Sequence, residues 1–302
     1  MHYRYFQKTA FVLAATGLVV LSGCSKTPGS ASSTLPQVTS SQSSVQSSAQ
    51  STTSEAASVT FSVSSTAQSA TPQSASSQLV VPSATPVAAV AASAKVNPNY
   101  LDDAVFIGDS VSLKLKNYVT AKRKTDAGFL GKAQFLTAGS MGSGNALKPL
   151  SSSSIHPSYN GKKALLEDNV AAIGAKKVYV MLGINDIAPY GVDDSVKNMA
   201  KLLANIKAKS PNVLIFVQSS TPMIEKAQMT SLNNPNLAAY DVKLSQMCKD
   251  KGYYFVDVAS VMRDSAGNLP LEYCSDPDVL GMHFTDKACQ IWIDFILTHT
   301  VK

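Results

Sequence analysis

The pattern of hydrophobic and polar positions changes near residue 98 of this 302-residue chain. From there to the end, short apolar runs alternate with segments whose apolar residues recur at helical spacing. The predicted strands are 105–107, 133–137, 177–182, 213–217 and 253–256, and the predicted helices are 112–122, 165–173, 196–206, 237–251 and 286–299. Gly174 is placed to end the second helix, and Thr285 to begin the last one. This alternation predicts an α/β fold in which a five-stranded parallel sheet carries helices on both faces.

The N-terminus has the pattern of an export signal. Arg4 and Lys8 precede an apolar stretch over residues 10–21, which is too short to span a bilayer. The following Leu21-Ser22-Gly23-Cys24 resembles the lipobox of bacterial lipoproteins, whose cysteine is diacylated and becomes the new N-terminus. Two acyl chains anchor a protein stably. We therefore expect a signal peptide over residues 1–23 and a lipid anchor on Cys24 that holds the protein at the outer face of the cytoplasmic membrane. A plain secretory signal with an incidental cysteine is the alternative.

The stretch between Cys24 and residue 98 is dominated by Ser, Thr, Ala, Gln, Val and Pro. Its charged residues are Lys26, Glu55 and Lys95. Such a tract buries too little apolar surface to offset the entropy of the chain. Residues 24–97 are therefore predicted to be the lipidated cysteine and a disordered linker, and residues 98–302 to be one domain with a substantial core.

Charge and cysteine content exclude several classes of protein. The net charge is +6, and the most basic run of the predicted domain is Lys122-Arg123-Lys124, so we expect no nucleic-acid partner. Besides Cys24 there are three cysteines, and an odd number cannot form a complete set of disulfides. Cys248 is expected to be a buried thiol, and a pairing of Cys274 with Cys289 stays open. No spacing resembles a zinc site, and the sequence does not indicate an oligomeric state.

Four short motifs lie where predicted strands end or where the last helix begins. They are Gly108-Asp109-Ser110 after the first strand, Gly139-Ser140-Met141-Gly142 after the second, Gly183-Ile184-Asn185-Asp186 after the third, and His283 before the last helix. Open α/β sheets build their active sites at the carboxyl ends of the strands, so these motifs are expected to meet there. A serine hydroxyl is a poor nucleophile until a base takes its proton. We expect His283 to be that base, and we interpret His156 and His299 as surface groups.

Together the four motifs resemble the sequence blocks of the SGNH, or GDSL, hydrolase family over roughly residues 99–300. The resemblance implies a flavodoxin-like three-layer sandwich with Ser110 as nucleophile and His283 as base. It also implies an oxyanion hole made by the backbone N–H groups of Ser110 and Gly142 and by the side-chain amide of Asn185. Gly139 is the alternative to Gly142.

The remaining acidic residues of these motifs are assigned by position. Asp109 and Asp186 are expected to brace their turns. The family usually places the acid of its triad three residues before the histidine, and that position is Leu280 here. We prefer Asp278 as the residue that orients the imidazole, with Asp276 as the alternative and a backbone carbonyl as a third option.

The resemblance implies a serine esterase that requires no metal or organic cofactor. The sequence shows no long apolar lid segment, which argues against a lipase for long chains. Membrane attachment and a long linker favour short acyl esters, acetyl above all, on cell-wall or other carbohydrates. Two alternatives remain: an O-acetyltransferase that uses the same residues, and a binding lipoprotein that has lost its activity.

Overall fold

The computed structural model describes residues 89–301, so the predicted signal peptide, Cys24 and most of the predicted linker lie outside the described residues. The strands are β1 (Ala104–Gly108), β2 (Gln134–Thr137), β3 (Ser158–Tyr159), β4 (Lys162–Lys163), β5 (Lys177–Met181), β6 (Leu214–Gln218) and β7 (Tyr254–Val256). The α-helices are α1 (Ser110–Lys122), α2 (Ser143–Ala146), α3 (Leu166–Ile173), α4 (Ile187–Lys209), α5 (Asn234–Lys251) and α6 (Asp286–Thr298). In this range, no helix combines the length and the apolar composition needed to cross a membrane.

Five of the strands form one parallel sheet in the order β2-β1-β5-β6-β7, while β3 and β4 form a small antiparallel hairpin. The predicted α/β fold with five parallel strands is confirmed. Gly108, at the end of β1, is paired with Thr137 of β2 and Met181 of β5, so these three strands end at the same level. The loops that follow them therefore begin side by side.

The two faces of the sheet carry separate apolar cores. One is shared with α3, α4 and α5, and the other with α1 and α6. On the second face, a row of stacked rings crosses all five strands; its members are Phe135, Phe106, Tyr179, Phe216 and Tyr254. Neighbouring rings lie at paired positions, and such cross-strand pairs stabilise one register of the sheet. The register in turn fixes where the strands end.

The residues before the predicted domain boundary also pack on this domain. Val90 donates its N–H to Phe255 of β7 at 2.7 Å, and Ser93 donates to the carbonyl of Thr298 at 2.6 Å. Lys95 forms an ion pair with Asp294 of α6. β7 is an edge strand, and an unpaired edge offers free backbone groups to a neighbouring segment. The ordered domain therefore includes residues 89–97, which the composition alone assigned to the linker.

Most helix ends follow the sequence pattern. Gly174 ends α3 in the left-handed conformation at φ 69°, and Thr285 caps α6 by accepting the N–H of Ala288. Helix α1 begins at Ser110, two residues earlier than predicted, because the Asp109 side chain accepts the N–H of Val111. Helix α4 begins at Ile187, well before the predicted segment.

Candidate active site

Ser110 is the first residue of α1, and Asp109 alone separates it from the end of β1. A Cβ atom on Gly108 would lie 1.9 Å from Ser112 Oγ, so only glycine lets the strand pass this close to the helix. The Asp109 carboxylate accepts the Val111 N–H at 2.9 Å and closes the turn. The Ser110 N–H therefore belongs to the N-terminus of a 13-residue helix, where the helix dipole favours negative charge.

Asp109 connects this turn to the third motif. Its side chain is buried, and its other carboxylate oxygen accepts the Asn185 Nδ2 at 3.3 Å. Burial raises the pKa of Asp109 to about 6, although the backbone N–H groups of Val111 and Ser112 and the nearby His283 act to lower it. Asp109 braces the turn as the sequence predicts.

Asn185 lies in the loop after β5 and joins the second motif to the first. Its Nδ2 donates to the backbone carbonyl of Met141 at 3.2 Å as well as to Asp109. The loop starts at Gly183, whose φ of 149° is one that other residues rarely adopt. The amide that the sequence assigns to the oxyanion hole is therefore held between the loops after β1, β2 and β5.

Asp186 braces the loop after β2. Its fully buried carboxylate accepts the backbone N–H groups of Ser143 at 2.7 Å and Gly144 at 2.9 Å. Burial raises the pKa of Asp186, while these hydrogen bonds act to lower it. A Cβ atom on Gly142 would lie 2.6 Å from the same carboxylate, so glycine at this position allows the close approach. The bracing role expected for Asp186 agrees with these contacts.

The Gly142 N–H has a partner that the sequence did not predict. It donates to Asn145 Oδ1 at 2.9 Å, and Asn145 Nδ2 donates in turn to the Ser140 carbonyl at 2.9 Å. Asn145 thus closes the turn that holds Gly142. An oxyanion that bound to the Gly142 N–H would have to share it with Asn145 or displace that side chain. An asparagine three residues after a helix N-cap was the signal that could have revealed this contact.

His283 is paired with Asp276. The His283 Nδ1 lies 2.6 Å from Asp276 Oδ2, and both side chains are largely buried. Asp276 Oδ1 accepts the backbone N–H groups of Met282 at 3.2 Å and His283 at 3.0 Å, and the thiol of Cys274 at 3.4 Å. Burial alone would raise the pKa of Asp276, but the hydrogen bonds from His283 and Cys274 outweigh it, so the pKa is lowered. Because Nδ1 is engaged, Nε2 is the ring nitrogen that can accept a proton from a hydroxyl.

The preference for Asp278 as the orienting acid is corrected by this geometry. The Asp278 side chain is 85% exposed and forms an ion pair with Lys226 at 2.6 Å. The chain turns between Asp276 and His283: the Asp276 carbonyl accepts the N–H of Gly281 at 3.1 Å, and Gly281 has φ 64°. This turn brings Asp276 next to His283 and points Asp278 into solvent.

The remaining candidate groups are the other histidines and the cysteines, of which Cys274 contacts Asp276. The prediction that His156 is a surface group is wrong: it is buried, and its Nε2 contacts the Ala146 carbonyl at 3.1 Å. His299 is half-buried at the end of α6 and stacks on Phe295. Cys248, Cys274 and Cys289 are buried free thiols, so the open pairing of Cys274 with Cys289 is not formed. Within residues 89–301, no three His, Cys, Asp or Glu side chains are grouped as metal ligands.

The cluster has the parts that acyl transfer requires. A serine hydroxyl lies at a helix N-terminus, a histidine is oriented by a carboxylate, and an amide and backbone N–H groups lie in the adjoining loops. Such donors stabilise the negative charge that develops on a carbonyl oxygen when a nucleophile attacks. These are the groups that nucleophilic acyl transfer by a serine uses.

Comparison with known proteins agrees with this chemistry. Residues 151–291 match the GDSL-like lipase/acylhydrolase family, a stretch that includes Asn185, Asp276 and His283. No curated protein matches the sequence. The chain is similar to the structure of a GDSL-like lipase from Bacteroides thetaiotaomicron, with 16% identity and a TM-score of 0.49 over 67% of this chain and 89% of that one. It is also similar to a catalytic mutant of an acetylxylan esterase from Geobacillus stearothermophilus, with 15% identity and a TM-score of 0.46 over 69% and 94%.

The family match includes the loops that hold Asn185 and His283, and Asn185 bonds to Asp109, the residue before the serine that begins α1. Residues 151–291 are therefore similar to the GDSL-like lipase/acylhydrolase family, and this match supports a hydrolase acting on esters.

Proposed function

We propose that this protein is a lipid-anchored, extracytoplasmic serine esterase that removes short acyl groups, acetyl above all, from carbohydrates. The contact between His283 Nδ1 and Asp276 Oδ2 at 2.6 Å carries the catalytic part of the proposal. A carboxylate in this position fixes the imidazole and stabilises its protonated form. The absence of an acid at position 280 favoured the alternative of a binding protein without activity, whereas the contact of Asp276 with His283 supports an enzyme.

The reaction has two steps. Ser110 Oγ attacks the ester carbonyl carbon while His283 Nε2 takes the hydroxyl proton. The oxyanion accepts a hydrogen bond from the Ser110 N–H. It also accepts one from Asn185 Nδ2 when that amide releases Asp109 or the Met141 carbonyl, and one from the Gly142 N–H when Asn145 releases it. The bond to the leaving oxygen then breaks, and the protonated His283 gives its proton to the departing alcohol. Water, deprotonated by the same nitrogen, attacks the acyl carbon. The bond from that carbon to Ser110 Oγ breaks, His283 returns the proton to Oγ, and the acid is released.

The hydrolysis of three p-nitrophenyl esters tests the reaction. The purified protein should hydrolyse the acetate faster than the butyrate, and the octanoate most slowly. Ser110→Ala should abolish turnover. Ser112→Ala is the matched control, because the Ser112 hydroxyl is buried two residues away and has no hydrogen-bond partner within the described residues. Equal rates for Ser110→Ala and the unaltered protein would overturn the assignment of the nucleophile.

A separate experiment determines whether water or a sugar accepts the acyl group. With an acetyl ester as donor and a sugar as added acceptor, an esterase produces free acetate at an unchanged rate. Acceptor-dependent formation of an acetylated sugar would instead favour the O-acetyltransferase.

The anchor is supported by the sequence alone, through Leu21-Ser22-Gly23-Cys24 after a short apolar segment. Labelling with a radioactive fatty acid in a bacterial host should mark the protein and leave Cys24→Ala unlabelled. The variant should also move from the membrane fraction to the soluble fraction, since loss of both acyl chains removes stable anchoring. Unchanged labelling of the variant would exclude lipidation at this cysteine.

A further inference from the structure

A second cavity lies at the carboxyl ends of β6 and β7, and its lining contains none of Ser110, Asn185 or His283. It encloses about 460 Å³ between the loop after β6, the first turns of α5 and the loop at residues 263–268. Sites for small molecules in proteins usually fall between about 300 and 1,000 Å³. The cavity is therefore large enough for one or two sugar rings, and the hydrolytic mechanism makes no use of it.

Three polar side chains from different elements line this cavity. Ser220 is 3% exposed, and its hydroxyl has no hydrogen-bond partner within residues 89–301. Asp241 is 4% exposed and accepts the Ser220 N–H at 2.7 Å. Arg263 donates to the Ala259 carbonyl and to Asp257, which leaves further N–H groups of its guanidinium available. A buried hydroxyl without a partner is costly, and a bound ligand or a water molecule would supply that partner.

The wall of the cavity is rigidly built. Asn234 Nδ2 and Gln228 Nε2 both donate to Asn268 Oδ1, at 2.9 and 3.1 Å. Asn234 also exchanges two hydrogen bonds with the backbone of Met223, at 2.7 and 2.8 Å. These contacts tie the loop after β6, the start of α5 and the loop after β7 to one another. A ligand would therefore meet a preformed surface.

The charge and polarity of the lining favour a neutral ligand. The positive charge of Arg263 is balanced by its ion-pair partner Asp257 and by Asp264. Burial raises the pKa of Asp241 well above its ordinary value, which favours the uncharged carboxyl, a group that both donates and accepts hydrogen bonds. Apolar side chains such as Leu237 and Ala238 complete the lining. Hydroxyl groups beside apolar C–H faces, as in a sugar, match this mixture.

The cavity adjoins the loop that holds Asn185. A Cβ atom on Gly183, where that loop begins, would lie 2.7 Å from Ser220 Oγ, so Ser220, which lines the cavity, also packs against this loop. We propose that this cavity is a binding site for one or two neutral sugar residues, held by Ser220, Asp241 and Arg263. The inference extends the proposed function, because a sugar bound here would be the non-reacting part of an acylated carbohydrate.

Binding can be measured without catalysis in the full chain carrying Ser110→Ala. Titration calorimetry with xylobiose and with N,N′-diacetylchitobiose should give saturable binding of at least one of the two. Adding Ala238→Phe should abolish that binding, because the ring fills the cavity, and adding Ser220→Ala should weaken it about fivefold through the loss of one neutral hydrogen bond. Ala239→Phe is the matched control: Ala239 is the next residue of α5, is exposed, does not line the cavity, and should leave binding unchanged.

The outcomes separate this inference from the esterase proposal. No saturable binding of either disaccharide, or equal binding by Ala238→Phe and Ala239→Phe, overturns the sugar site. If circular dichroism shows that Ala238→Phe does not fold, the Ser220→Ala variant tests the site instead. An unchanged affinity of that variant for the disaccharide would overturn the sugar site. A protein with intact Ser110 that binds the disaccharide but hydrolyses no p-nitrophenyl acetate would refute the esterase and keep the sugar site.

Discussion

Replacing Asp276 by asparagine tests the pairing with His283 at nearly constant shape. One oxygen of the carboxylate accepts two backbone N–H groups, and the other contacts His283 Nδ1 at 2.6 Å. In Asp276→Asn, the amide oxygen stays on the backbone donors, because the alternative orientation would face N–H against N–H. The NH₂ group then points at Nδ1, which must become an acceptor. The proton moves to Nε2, and that nitrogen can no longer take the proton of Ser110.

The expected loss is large because both the tautomer and the stabilisation of imidazolium are affected. The corresponding change in a serine-histidine-aspartate triad lowers kcat by about 10⁴-fold. At about 1.4 kcal/mol per tenfold change, this is about 5.5 kcal/mol of transition-state stabilisation. We expect kcat for p-nitrophenyl acetate to fall by about 10³–10⁴-fold in Asp276→Asn, with a much smaller change in KM.

Asp278→Asn provides the matched control two residues away. Its side chain is 85% exposed and pairs with a Lys226 side chain that is 60% exposed, and such surface pairs contribute little to stability. We expect its kcat to stay within about twofold of the unaltered enzyme. If Asp276→Asn kept more than a tenth of the activity while Asp278→Asn lost it, the assignment of Asp276 would be refuted. Thermal unfolding of both variants excludes loss of the fold as the cause.

Three further predictions concern the braces of the site. Gly108→Ala should lower the melting temperature strongly and abolish activity, because the new methyl would lie 1.9 Å from Ser112 Oγ, whereas Gly139→Ala meets no atom within 4 Å and should leave the melting temperature nearly unchanged. Asp186→Ala leaves two buried backbone N–H groups without acceptors and should lower the free energy of unfolding by about 2–5 kcal/mol in a urea titration, a loss under 1 kcal/mol being contrary to this account. The pKa of Asp109 is raised from 3.8 to about 6, which destabilises the folded protein by up to about 3 kcal/mol above pH 6 and by nothing well below pH 4. Asp109→Asn removes this effect, so its stability relative to the unaltered protein should increase as the pH rises. Denaturation curves of both proteins from pH 4 to 8 measure this difference, and a difference independent of pH would contradict it.

Local sequence patterns were sufficient to predict the strands, most helix ends and the positions of the motifs. Apolar runs bounded by glycine, proline and polar residues mark buried strands wherever the chain is placed in space. Glycine at a helix C-terminus and threonine at an N-terminus act through their own neighbours, as Gly174 and Thr285 do. Ser110, Asn185 and His283 were identified by the resemblance of their motifs to a known family, and each motif lies next to a regular element that the pattern defines.

Contacts between distant segments could not be predicted from those patterns. The composition of residues 89–97 did not separate them from the preceding linker in the sequence analysis. Their packing on the domain follows from contacts with the edge of β7 and the end of α6. The bond between Asn145 and Gly142 depends on how a four-residue helix begins. The buried state of His156 depends on a loop that folds over the carbonyl of Ala146.

The sequence by itself determined an α/β domain with a serine, an asparagine and a histidine at one edge of a parallel sheet, because strand order along the chain and the ends of strands are local properties. Only the tertiary structure decided that Asp276 orients the histidine, since that choice depends on a turn at Gly281 that returns the chain on itself. It alone also decided that Ser220, Asp241 and Arg263 line one cavity, because they come from three separate segments. Spacing along the chain does not predict such contacts, because they form only when the sheet and its loops pack together.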